Sequence, residues 1–128
     1  MTVQQISIFL ENRPGQLAAI CRTLAKAGVN IVALSLADTS DFGIVRMIVD
    51  DHARGAQVLA DAGFAVRETD VVTVTVRNDP GGMAELMEKF DAAGVDIEYS
   101  YAYALGSGNE ARLVFRFKDN AKALAALK

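Results

Sequence analysis

The chain repeats itself. A shift of 66 positions lays Asn78 on Asn12, Pro80 on Pro14, Gly81 on Gly15, Ala84 on Ala18, Ala93-Gly94-Val95 on Ala27-Gly28-Val29 and Ile97 on Ile31. Past a longer second turn, Gly106-Ser107-Gly108-Asn109, a shift of 68 lays Asp119 on Asp51, Ala121 on Ala53 and Leu127 on Leu59. The matched residues are those that start and stop elements, so one supersecondary unit occurs twice.

Within the first copy, Ile6, Ile8 and Leu10 alternate as in a half-buried strand, and Asn12-Arg13-Pro14-Gly15 breaks the pattern. Leu17, Ile20, Cys21 and Leu24 then recur at helical spacing up to Gly28, a C-cap. Asn30–Ala37 and Gly43–Val49 read as a hairpin about Asp38-Thr39-Ser40-Asp41. Asp50 or Asp51 starts a second helix that closes at Gly63, and Phe64–Arg67 is a short strand. The unit is βαββαβ and the class α+β, with repeats expected at 1–69 and 70–128. The second copy reaches Lys128 within its second helix, so its last strand is expected to be missing. An uncovered edge at Val71–Val76 recruits other strands. The expected cover is Phe64–Arg67, folded back through Glu68-Thr69-Asp70 as a hairpin in one continuous antiparallel sheet. The rival is one long strand from Phe64 to Val76, swapped between protomers. Val32, Leu34 and Leu36, opposite in parity to Ile31, are expected to leave an apolar patch on the open face and to make the protein a homodimer.

Composition narrows the partners. Apolar residues make up 52% of the chain, which suits apolar surface reserved for an interface. A net charge of -3 offers no field to gather phosphates, so nucleic acid is not an expected partner. No run reaches the roughly 20 apolar residues of a membrane span, and Met1–Leu10 alternates unlike a signal sequence, so no membrane association and a cytoplasmic location are expected. Cys21 stands alone, which excludes an internal disulfide, and its place on the apolar stripe predicts a buried, inert thiol. His52 has no nearby His or Cys, so it is read as a surface residue; no metal and no cofactor are expected. Tyr99, Tyr101 and Tyr103 share a strand face, and their parity with Ile97 predicts core and interface packing over a base-stacking platform. Glu85, Glu88, Lys89 and Asp91 read as a solvated helix face.

The loops after the first strands carry the chemistry. Glu11-Asn12-Arg13-Pro14-Gly15-Gln16-Leu17 is echoed by Arg77-Asn78-Asp79-Pro80-Gly81-Gly82-Met83. Proline in the first turn loses no hydrogen bond, and the following glycine lets a group approach free backbone N–H groups at the positive end of a helix. A carboxylate suits such a terminus. A helix-start signal without a ligand has the same pattern, and it is the duplication that favours a site.

These residues resemble the ACT domain, a regulatory module of amino-acid metabolism. The resemblance rests on Ile6–Leu10, Glu-Asn-Arg-Pro-Gly-x-Leu and Ala-Gly-Val-Asn-Ile in the first copy, and on Asn-Asp-Pro-Gly-Gly-Met and Ala-Gly-Val-Asp-Ile in the second. It covers nearly the whole chain, as in free-standing tandem ACT proteins, and implies two ferredoxin-like βαββαβ repeats with helices on one face. It also implies an amino acid bound where the first loop meets the second strand of a neighbouring unit. Carried over, this assigns Asn12, Arg13, Pro14, Gly15, Gln16 and Leu17 with Asn30 and Ile31, then Asn78, Gly81, Gly82 and Met83 with Asp96 and Ile97. Arg13 stands where acids are frequent and Asp96 where Asn is usual, so the second site differs from the first. Glu-Asn-Arg-Pro-Gly is also similar to the acetolactate synthase regulatory subunit. The expected function is allosteric: a protein without catalytic activity that senses an amino acid and modulates an enzyme of amino-acid metabolism. The alternatives are a ligand-free interaction subunit or a small hydrolase of acylphosphatase type, although no nucleophile with a base stands out.

Overall fold

Among the described residues ten elements form, one fewer than the periodicities predict, because the last strand of the first repeat and the first strand of the second are continuous. In the computed structural model they are β1 (Thr2–Glu11), α1 (Gln16–Lys26), β2 (Ile31–Asp38), β3 (Phe42–Val49), α2 (His52–Asp61), β4 (Ala65–Arg77), α3 (Gly82–Ala93), β5 (Ile97–Ala102), β6 (Glu110–Phe117) and α4 (Asn120–Ala126). The structure describes residues 1–11, 13–38, 42–104 and 108–128. Asn12, the turn residues Thr39–Asp41 and Gly106-Ser107 lie outside the described residues.

Two compact units result, Gln4–Thr69 and Met1–Val3 with Asp70–Lys128. In the first, the strand order is β2-β3-β1-β4; in the second it is β5-β6-β4-β1. Each unit packs both its helices on one face of its strands. Ile20 and Leu24 of α1 and Leu59 of α2 bury against Ile6, Ile8, Val45 and Met47. In the other unit Leu86 and Phe90 of α3 and Ala123 of α4 meet Val72, Phe115 and Phe117. Phe90 stands edge-on to Phe115 and Phe117, with ring centroids 5.5 and 4.9 Å apart.

The hairpin between Phe64–Arg67 and Val71–Val76 does not form. Ala65–Arg77 is one strand of 13 residues, because Glu68-Thr69-Asp70 contains neither Gly nor Pro to turn it. In the second repeat the last element among the described residues is α4. What lies beside its first strand is the start of β1: the Thr73 N–H donates to the Met1 carbonyl at 2.8 Å, and the Met1 ammonium donates to the Thr73 carbonyl at 3.3 Å.

A bulge overturns two parity arguments. Ile31 lies opposite Val49, but Ala33 lies opposite Ile48, so the register slips between them. Leu34 and Leu36 thus face the same side as Met47 and Val45, the helix side, and are exposed there at the edge strand instead of forming an open-face patch. The second repeat slips at the matching place, between Ile97 and Tyr99. Tyr99 and Tyr101 therefore lie opposite Arg116 and Val114 on the face away from the helices, and not in the core. Tyr103 lies under the Arg112 guanidinium, 4.7 Å from the ring centroid. Cys21 is exposed, not buried: it falls beside Ile20 and outside the stripe that Ile20 and Leu24 bury.

Candidate functional site

The two kinds of helix start differ in chemistry. α2 and α4 follow Asp51 and Asp119, whose carboxylates accept from the Arg54 and Lys122 N–H groups at 3.2 and 3.1 Å. α1 and α3 follow Gly15 and Gly81, both left-handed (φ 86° and 97°), and neither start has a side-chain cap. A helix start without a cap keeps donors available, and the dipole adds positive potential.

Around the first loop, Pro14 and Gly15 are exposed, Gln16 is half-buried, and Leu17 packs on the core together with Ile31. Arg13 turns back to Glu11, its guanidinium 3.0 Å from the carboxylate, with both side chains exposed. The Asn30 N–H donates to the Asp50 carboxylate at 2.9 Å, and the Asp50 N–H returns a bond to the Asn30 carbonyl at 3.0 Å. The first turn of α1 carries no acid.

The second loop is wired differently. The Asn78 N–H donates to the Asn109 carbonyl at 2.7 Å, and Gly81 and Asp96 are exposed. Gly82 is buried, and a Cβ there would overlap the Arg77 carbonyl oxygen. Met83 and Ile97, the counterparts of Leu17 and Ile31, are 41% and 38% exposed, where the first pair is half-buried. Arg77 forks onto Glu85 with bonds of 2.9 and 3.1 Å and also reaches Asp79 at 3.3 Å. Those bonds raise the guanidinium pKa further and hold the Glu85 carboxyl below the usual carboxylate range. This start of α3 thus brings its own carboxylates to the place where α1 has none.

Sequence reading did not find the Arg77 network, since Glu85 reads there as a plain solvated charge and its partner lies eight positions away. His52 is half-buried at the surface: Nε2 lies 2.8 Å from the Glu68 carboxylate, and Nδ1 is shut off from solvent with no hydrogen-bond partner among the described residues. Among the described residues no three His, Cys, Asp or Glu side chains gather to hold a metal. No helix is long and apolar enough to cross a membrane.

Known proteins share this fold. A protein from Bacteroides thetaiotaomicron is 40% identical, with a TM-score of 0.92 over 99% of this chain and 87% of its own. The fold also matches the ligand-free regulatory subunit of aspartate kinase from Thermus thermophilus (TM-score 0.68, 16% identity, 99% and 95% covered). The corresponding subunit from Thermus flavus is similar too (0.62, 18%, 99% and 93%). No curated protein sequence matches. The ACT domain pair family matches residues 1–127, and the chain, with its duplicated strand, glycine-led helix and bulged second strand, belongs to that family.

Proposed function

We propose that the chain is a regulatory protein without catalytic activity that binds an amino acid at its first loop and modulates an enzyme of amino-acid metabolism. The observation that carries this reading is the uncapped start of α1, open and free of acids, set against the Asp caps of α2 and α4. A ligand carboxylate there accepts from the Gln16 and Leu17 N–H groups. The fold it has in common with aspartate kinase regulatory subunits supports the regulatory part. At the second loop the ligand-free reading is favoured, because Asp79 and Glu85 already supply negative charge.

Melting the protein with each common amino acid tests the reading, since a ligand at 100 times its Kd adds about 2.7 kcal/mol of stability. A rise for one amino acid that Gly15→Phe removes, with the fold retained, supports it. No rise with any amino acid rejects it. Purified protein is expected to show no esterase or phosphatase turnover; turnover that disappears with Arg13→Ala would favour the enzyme.

A homodimer belongs to the same proposal, on a different surface from the one parity suggested. Phe9, Ala37, Phe42 and Ile44 line an apolar hollow of about 430 Å³ on the face away from the helices, with Phe9 53% and Phe42 56% exposed. Sedimentation is expected to show a dimer that Phe9→Glu weakens.

A further inference from the structure

The two helices of each repeat are tied end to start by equivalent residues. In the first repeat the Arg54 guanidinium reaches from the opening turn of α2 to the C-terminal end of α1, where its Nε donates to the Ala27 carbonyl at 2.8 Å. In the second, the Lys122 ammonium reaches from the opening turn of α4 to the end of α3 and donates to the Gly94 carbonyl at 3.0 Å. A cation suits the last carbonyls of a helix, which carry its negative end. Arg54 and Lys122 stand 68 positions apart, the offset that also lays Asp119 on Asp51.

The same offset lays Asn120 on His52, the first residues of α4 and α2, and both fasten on one short stretch of β4. His52 Nε2 lies 2.8 Å from the Glu68 carboxylate, while the Asn120 amide and the Arg116 guanidinium donate to the Asp70 carbonyl at 3.1 and 2.9 Å. Each contact lies within one compact unit, and the backbone of β4 passes from one unit to the other at Thr69 and Asp70. The His52 contact is poised. A carboxylate only accepts, so Nε2 carries the hydrogen, and in the neutral ring Nδ1 is an acceptor without a donor. Turning the ring outward gives Nδ1 to water and gives up Glu68. The gain from an exposed pair and the cost of an orphaned buried nitrogen are similar in size, so the two arrangements lie close in free energy.

We propose that the starts of α2 and α4, joined through Glu68-Thr69-Asp70, form a relay that couples the end of α1 to the end of α3. A helix is hydrogen-bonded along its length, so a shift at the glycine-led start of α1 reaches Ala27. There it pulls on Arg54, moves the first turn of α2, and shifts His52 between holding and releasing Glu68. Through β4 that change alters the grip of Asn120 and Arg116 on Asp70, and Lys122, one turn along α4, carries it to α3. Its use in reporting a ligand at the first loop rests on the function proposed above; the relay itself does not.

Hydrogen exchange on the full chain without any ligand tests the relay, so its outcome is independent of the first-loop reading. Exchange is read at the Lys122 and Ala123 amides, which bond to Asp119, and compared with the core amide of Phe115. Arg54→Ala and Glu68→Ala, both at exposed positions, are each expected to raise exchange at those two amides about fivefold relative to Phe115. The double variant is expected to go no further than either single one, because both cut the same path. Glu68→Gln keeps an oxygen that accepts from Nε2 and is expected to exchange as the parent does. Coupling is reciprocal, so Lys122→Ala is expected to raise exchange by a similar factor at the Arg54 and Gly55 amides, which bond to Asp51. Changes confined to Gln4–Thr69 after Arg54→Ala, a rise shared equally by Phe115, additive effects in the double variant, or no response of Arg54 and Gly55 to Lys122→Ala overturns the inference.

Discussion

Gly15 and Gly82 sit at equivalent helix starts, one residue out of step, yet different constraints fix them. Gly15 has φ 86° with open space where a Cβ would stand, so Gly15→Ala is expected to cost only the left-handed strain, about 1–2 kcal/mol. Gly82 has ordinary φ, but its Cβ would strike the Arg77 carbonyl, and backbone must move to admit it. Gly82→Ala is expected to lose more stability than Gly15→Ala in urea unfolding; the opposite order would mean the loop adjusts freely. The Pro-Gly pattern announced both helix starts in the sequence, but the second constraint depends on where the Arg77 carbonyl lies, which no local pattern records. Glu85 gives a second residue-scale prediction. Its carboxyl is depressed by the hydrogen bonds from Arg77, so the contribution of the pair is present above the unfolded pKa and is lost as pH falls through the folded one. Both groups are exposed, so the effect on stability is small. An NMR titration is expected to place the Glu85 midpoint below the usual value of about 4.3, with Arg77→Ala restoring it.

Among the elements, the strands β2 and β5 best show what a sequence hides. Their existence follows from β-rich residues between turn residues, but one extra residue after Ile31 and after Ile97 exchanges inward and outward positions from there on. A rule of strict alternation consequently assigned Leu34, Leu36 and the tyrosines to the wrong faces. The helices were easier, because Ile20, Leu24, Leu59, Leu86 and Phe90 keep the 3.6-residue period and bury together with the strands. Phe90→Ala is expected to cost about 3–5 kcal/mol through the cavity it leaves against Phe115 and Phe117. Leu36→Ala, at an exposed position, is expected to stay within about 0.5 kcal/mol. Denaturant midpoints for the two variants measure both. A comparable loss at Leu36 would show that something covers that edge.

At the scale of the whole molecule, the repeat in the sequence and the compact units in space do not coincide. The unit built on residues 70–128 includes Met1–Val3, and β4 runs without a break from one unit into the other. Deleting Met1–Val3 is therefore expected to strip the backbone partner from Thr73 and to raise hydrogen exchange at that amide first, with exchange at Ile6 and Ile8 following only if β1 itself frays. The duplication was legible, because the punctuation residues recur, whereas the exchange of strand ends depends on register and left no mark in composition. Met1 and Thr73 are 72 positions apart, yet they are hydrogen-bonded neighbours. On the ribosome, synthesis at about 5–20 residues per second sets the making of these two partners several seconds apart. The earlier segment therefore waits with its backbone groups open to other partners until the later strand has been made.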